Sequence, residues 1–211
     1  MNTLKHIAIS GNIGSGKTTL AEKLAKHYNW TPLFESVDHN PYLKSFYSDM
    51  TRWAFHLQIY FLNNRFNQVT QIRNSEKTIV QDRTIYEDAE IFAANLHKSG
   101  HLTDLDYNCY LDVFKSMVNF VQPPDLLIYL KADIPKLVQQ IQKRNRDFEY
   151  NIKLEYLKTL NEHYEQWISG YKGRLLIVDV NHMDFVERIE DFSHIVGRVD
   201  LEINNLFSKQ N

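Results

Sequence analysis

Five short apolar runs punctuate the chain, and several are continuous rather than alternating: HIAIS (6–10), TPLFE (31–35), KTIVQD (77–82), DLLIYLKA (125–132) and LLIVDV (175–180). Unbroken Leu, Ile and Val runs suit strands buried on both faces. Between them the apolar positions recur at helical spacing. Residues 17–28 place Leu20, Leu24 and Ala25 on one face, and residues 51–73 place Phe55, Ile59, Leu62, Phe66 and Val69 near a 3.6-residue period. Further helices are expected over 84–97, 103–121, 134–146, 153–169 and 183–206. QPPDLL (122–127) stops one element before a strand, and ADIPK (132–136) reads as an N-cap Asp133 with Pro135 in the first turn. Alternating strands and helices predict a doubly wound α/β domain with a five-stranded parallel sheet. Repeats, low-complexity tracts and Gly/Ser linkers are absent, so residues 1–211 read as one domain. The polar stretch RNRDFEYNI (144–152), between two helices, is the candidate lid.

Composition narrows the setting. The 43% hydrophobic and 13% aromatic content of the 211 residues supports a substantial core and excludes disorder. A formal net charge of −2 is not the basic footprint of a nucleic-acid binder, so no nucleic-acid partner is expected. The single cysteine, Cys109, can form neither an internal disulfide nor a zinc site alone; it is read as a core residue on a helix face. With no signal-peptide pattern and no stretch of 18 apolar residues, the reading is a cytoplasmic protein without a membrane partner. None of the nine histidines forms a compact ligand pattern, and His39 and His56 read as solvated or core.

The chemistry begins at Gly11–Thr18, which satisfies G-x-x-x-x-G-K-[ST] between a predicted strand and a predicted helix. The glycines let backbone N–H groups close around phosphate oxygens, and the helix that follows adds its N-terminal dipole. Gly11, Asn12, Ile13, Gly14, Ser15, Gly16, Lys17, Thr18 and Thr19 are therefore the expected ATP-phosphate segment. Lys17 would reach the β- and γ-phosphates, and Thr18 would offer its hydroxyl to Mg²⁺. Glu35 ends the second strand, at the carboxyl edge where ligands bind in open parallel sheets. A carboxylate there could orient an attacking hydroxyl; a solvated strand-end glutamate is the plainer alternative. Asp82 ends the third strand, placed as a second acidic group for Mg²⁺. Arg83 beside it could hold a phosphate or fix Glu35, or form an ordinary surface ion pair.

Taken together, these segments resemble the deoxynucleoside kinases of the deoxycytidine, deoxyguanosine and deoxyadenosine kinase type. GNIGSGKTTL is similar to their phosphate loop, WAFHLQIYFLNNR (53–65) to their substrate helix, QDRTIYED (81–88) to their acid–Arg–Ser segment, and KRNRDFE (143–149) to their lid. The likeness runs in order from residue 6 to about 165. It implies a P-loop NTPase fold with a short lid, and ATP-dependent phosphorylation of a deoxynucleoside 5′-hydroxyl for nucleotide salvage. Catalysis would rest on Glu35 as the base, with Arg83 and Lys17. Gln58 would pair with the nucleobase edge, Trp53 and Phe92 would wall the base and sugar, and Tyr47 with Glu149 would hold the 3′-hydroxyl. Arg144 and Arg146 would face the donor phosphates. Arg65 and Asp88 match a pair found in purine- and deoxycytidine-using members, and ESVDHNPYLKSFY (35–47) looks more like the bacterial enzymes than the animal ones. The resemblance thus implies a purine deoxynucleoside or deoxycytidine as substrate, deoxyadenosine first among them, and a homodimer as the assembly.

Three positions depart from the pattern. Thr84 replaces the usual serine, Gln140 stands where another lid arginine is common, and Asn145 replaces a lid glycine. Asn tolerates left-handed backbone, so that turn can survive. Two other functions compete. A nucleoside monophosphate kinase would hold its acceptor phosphate with arginines rather than place Glu35 at an uncharged hydroxyl. A non-catalytic nucleotide switch would have no need of Glu35, Gln58 and Tyr47.

Overall fold

The computed structural model describes residues 4–35, 40–146, 149 and 152–208. Its strands are β1 (His6–Ser10), β2 (Thr31–Leu33), β3 (Ile79–Asp82), β4 (Leu126–Lys131) and β5 (Leu175–Asp179). They form one parallel sheet in the order β2-β3-β1-β4-β5. In the central strand, Ile9 pairs with Asp82 on one side and with Ile128 on the other. The carboxyl ends of β1 and β3 thereby lie side by side, where a doubly wound sheet binds its ligands.

Strand periodicity divides the core in two. Ile7, Ile9, Leu126, Ile128 and Leu130 point to one face and meet Leu20 and Leu24 of α1 (Lys17–Tyr28), and Ile195 and Val199 of α9 (Ile189–Ser208). Ala8, Leu127 and Tyr129 point to the other face. There they meet Leu57 and Leu62 of α3 (Met50–Asn74), Tyr110 of α6 (Asp104–Val118) and Leu160 and Tyr164 of α8 (Leu154–Gly170). Both faces are apolar because both are covered, which is why the strands read as continuous runs. The two edge strands differ: in β5 Leu176 and Val178 are buried while Ile177 is exposed, and in β2 Thr31 is exposed with Pro32 and Leu33 half-buried.

Several expectations are refined. The six-residue α2 (Leu43–Ser48) is too short to show a helical period and went unforeseen. The helix expected over 84–97 is broken into α4 (Ile85–Glu87), a π-helical turn (Asp88–Ala93) and α5 (Ala94–Lys98). Pro135 does open α7 (Ile134–Arg144), but Asp133 makes no side-chain cap; its N–H instead donates to Asn181 Oδ1 at 2.8 Å. Residues 183–188 are not helical, because Asp184 Oδ1 accepts the N–H groups of Val186 and Glu187 and tightens a turn there. Cys109 is exposed rather than core, since Tyr110 and Phe114 carry the buried stripe of α6. Among the described residues no helix is long and apolar enough to cross a membrane.

Candidate active site

The loop between β1 and α1 is shaped by close approach as much as by its amides. Gly14 (φ +86°) and Gly16 (φ +94°) both adopt left-handed backbone, where a side chain is strained. A Cβ on Gly14 would also lie 2.7 Å from the Leu137 carbonyl of α7, and one on Gly16 would lie 2.8 Å from the Phe185 ring. Asn12 ties the loop to α8, donating to the Leu157 carbonyl at 3.0 Å and to Asn161 Oδ1 at 3.1 Å. Lys17 Nζ donates to the Asn12 carbonyl at 3.0 Å. Burial, and then Arg83, bring Lys17 down to about 7 from the usual lysine range. Gly16 has no side chain to cap the first turn of α1, so that turn remains open to an anion.

Beyond the loop stands a charged cluster. Glu35 Oε1 accepts from Arg83 Nη1 at 2.8 Å and from Arg65 Nη2 at 2.9 Å. Arg65 Nη1 also donates to the Asp82 carbonyl at 2.9 Å, and its Nε lies 3.4 Å from Asp88 Oδ2. Burial alone would push the Glu35 carboxyl up, but Arg83, Arg65 and Lys17 reverse this and hold it below its ordinary value. Burial of Asp88 outweighs Arg65, and its carboxyl rises to about 7. Thr18 Oγ1 donates to Asp82 Oδ2 at 2.5 Å, while Asp82 Oδ1 is buried without a hydrogen-bond partner among the described residues. Arg83 itself has φ +70°. A non-glycine residue there is strained by about 1–2 kcal/mol, and such strain marks a site whose surroundings enforce the geometry.

A cavity of about 320 Å³ opens over this cluster. Ile13, Gly14, Lys17 and Thr18 form its phosphate-loop end, with Arg144 and Arg146 at its rim. Glu35, Tyr47, Gln58, Asp82, Arg83, Asp88, Phe92 and Glu149 line the remainder. Asp88 and Phe92, four residues apart on the π-helical turn, face the same space. Phe92 also stacks under Arg83, whose guanidinium carbon lies 4.4 Å from the ring centroid. Gln58 is buried, and its amide oxygen has no hydrogen-bond partner among the described residues. Phe34, Leu43, Phe46, Phe61 and Tyr156 complete the apolar wall. Periodicity could have flagged Phe61 on α3, whereas Leu43 and Phe46 sit on the helix too short to detect.

The family model described as deoxynucleoside kinase matches residues 7–204. The chain is 45% identical to a deoxyadenosine kinase from Dictyostelium discoideum over 182 residues, covering 86% of this chain and 74% of that protein. To the deoxyadenosine/deoxycytidine kinase of Bacillus subtilis (strain 168) it is 40% identical over 196 residues, 92% of this chain and 90% of the other. The chain belongs to the deoxynucleoside kinase family. Its fold matches that of the M. mycoides deoxyadenosine kinase with bound dATP at a TM-score of 0.82 and 31% identity, covering 93% and 99% of the two chains. The phosphate loop at the end of β1 thus belongs to a P-loop NTPase-type fold, as its motif predicts.

Three expected residues take different places in the kinase. Trp53 is absent from the cavity wall; its ring packs against Tyr42 and His56, with centroids at 5.9 and 5.4 Å. One turn further along α3, Leu57 and Gln58 face the cavity instead. Arg65 is also absent from the wall; it works behind it, bridging Glu35, Asp82 and Asp88. Arg144 turns toward Glu149, pairing through both Nε and Nη2, rather than standing alone at the phosphate end. Arg146 Nη1 lies 3.9 Å from the same carboxylate. Of the lid, residues 147, 148, 150 and 151 lie outside the described residues, as does His39.

Proposed function

We propose that the kinase transfers the γ-phosphoryl group of ATP to the 5′-hydroxyl of deoxyadenosine, acting in nucleotide salvage. The observation that carries this reading is Glu35: an ionised carboxylate clamped by two arginines in a cavity walled partly by aromatic side chains. A monophosphate acceptor would bring its own negative charge against that carboxylate. Glu35 accepts the hydrogen bond of the 5′-hydroxyl and fixes its line of attack, which is most of what phosphoryl transfer asks of the protein. Lys17 neutralises charge on the transferred group, and Arg144 and Arg146 leave Glu149 to do the same. Glu149, released, joins Tyr47 at the sugar 3′-hydroxyl.

Thr18 and the unpartnered Asp82 oxygen form a hard-oxygen pair suited to Mg²⁺, directly or through water. When bound there, Mg²⁺ would supply charge neutralisation between the β- and γ-phosphates. Gln58, with a buried acceptor free and amide donors alongside, suits the paired donor and acceptor of an adenine edge. Asp88 stands where a thymine methyl would need room. The two relatives named for deoxyadenosine support the same choice. The partly buried Phe55, Ile59 and Phe66 of α3 and Leu111 of α6 support a homodimer through these helices.

Initial rates with ATP-Mg²⁺ and each of the four natural deoxynucleosides, with dAMP and dTMP as controls, test the reading. Deoxyadenosine gives the highest kcat/KM, and the monophosphates give no product. Phosphorylation of monophosphates alone would replace this reading with a monophosphate kinase.

A further inference from the structure

Glu87 has no solvent exposure, lies outside the cavity wall, and yet carries a carboxylate with four polar neighbours. Its Oε2 accepts the Thr84 N–H at 2.8 Å and the Thr84 hydroxyl at 3.3 Å. Its Oε1 accepts the Tyr164 hydroxyl at 3.0 Å and lies 3.7 Å from Arg83 Nε. Capping alone does not account for the charge. α4 is three residues long, glutamine fills this position of a capping box as well as glutamate, and a buried carboxylate costs solvation. The cation it faces is the same guanidinium that binds Glu35.

We propose that Glu87 is a positioning residue that holds Arg83 in the orientation in which Glu35 keeps an oxygen free for the acceptor hydroxyl. The inference rests on the Glu35–Arg83 reading given above. Arginine and carboxylate pair most strongly fork to fork, through two parallel N–H···O bonds. In this kinase the fork is split: Nη1 goes to Glu35 and Nε faces Glu87. The Nη1 edge is held by a hydrogen bond, the Nε edge only by its charge contact with Glu87 at 3.7 Å, and Phe92 supports the face. Without the second carboxylate, Arg83 would rotate to engage both oxygens of Glu35 and occupy the acceptor the hydroxyl needs. Thr84 and Tyr164 fix Glu87 in turn, and Tyr164 brings α8 into the same chain of contacts.

The test is Glu87→Gln, which preserves shape and capping but removes the charge. The expected result is a fall in kcat of roughly tenfold to a hundredfold, with KM for ATP within about twofold of wild type and the melting temperature unmoved. In an Arg83→Lys background the same change produces no further loss, because its target is already gone. Wild-type kcat in a folded Glu87→Gln kinase overturns the proposal, as do losses that add fully in the double variant. If Glu87→Gln does not fold, Tyr164→Phe serves: a severalfold drop in kcat with the same KM split supports the proposal, and unchanged kcat overturns it. Arg83→Lys alone separates the two claims, since wild-type turnover there would defeat the reading of Arg83 itself.

Discussion

Lys17, proposed to bind phosphate, is costly to the free protein. Its ammonium is buried beside Arg83, and its proton is held only to about 7. An unfolded chain keeps that proton to the ordinary lysine value of about 10.4. Between those values the unfolded state binds more protons, so Lys17 makes stability rise with pH from about 7 upward, its cost being full below 7. Lys17→Met should therefore melt higher than wild type at pH 6 without ligand, with the advantage shrinking toward pH 10; equal melting temperatures at both pH values would contradict this. Triphosphate binding should restore the charge and take up close to one proton per site at pH 8. Calorimetry in buffers of differing ionisation enthalpy measures that uptake directly. Arg65 makes a second case. The family resemblance ties its pairing with Asp88 to base choice, but the same guanidinium also holds Glu35. Arg65→Met with Asp88→Ala should shift relative rates toward thymidine while lowering kcat for every substrate by tenfold or more. Unchanged substrate ratios would show that the pair does not read the base.

At the scale of elements, the legible parts were those with long, regular patterns. The five strands follow from short apolar runs, although β2 stops at Leu33 and leaves Glu35 in the loop beyond it, and α3 follows from a sustained helical period over 25 residues. The π-turn, which carries Asp88 and Phe92, is not legible because one wider winding leaves composition untouched. The wall role expected of Trp53 came from the family resemblance, which does not say how far along α3 the cavity reaches; here its ring packs against Tyr42. The left-handed Arg83 has no sequence signature at all, since neither Gly nor Asn marks it. Asn145 does have one: it closes α7 with φ +56° and ψ +45°. Asn145→Gly should keep activity within about twofold, whereas Asn145→Val, β-branched in left-handed backbone, should cost roughly 1–2 kcal/mol of stability. Denaturant titration of both variants checks the ordering, and equal stabilities would contradict it.

Over the whole molecule, the sheet order places two strand ends together and lets four elements meet there: the phosphate loop after β1, Glu35 after β2, Asp82 and Arg83 at the end of β3, and the cavity-lining face of α3. The loop is also gripped from outside, by α7 against Gly14 and by α8 through Asn12. Those two helices flank the proposed lid in sequence. A homodimer through α3 and α6 should sediment at twice the chain mass, and a monomer at micromolar concentration would remove that assembly from the account. The central claim is that Glu35 acts on the acceptor hydroxyl and not on the donor. Glu35→Gln, assayed for deoxyadenosine phosphorylation and for ATP binding, measures this most directly. The account predicts a kcat loss of about 10²–10⁴-fold with ATP affinity within a fewfold of wild type; wild-type turnover in that variant would contradict it.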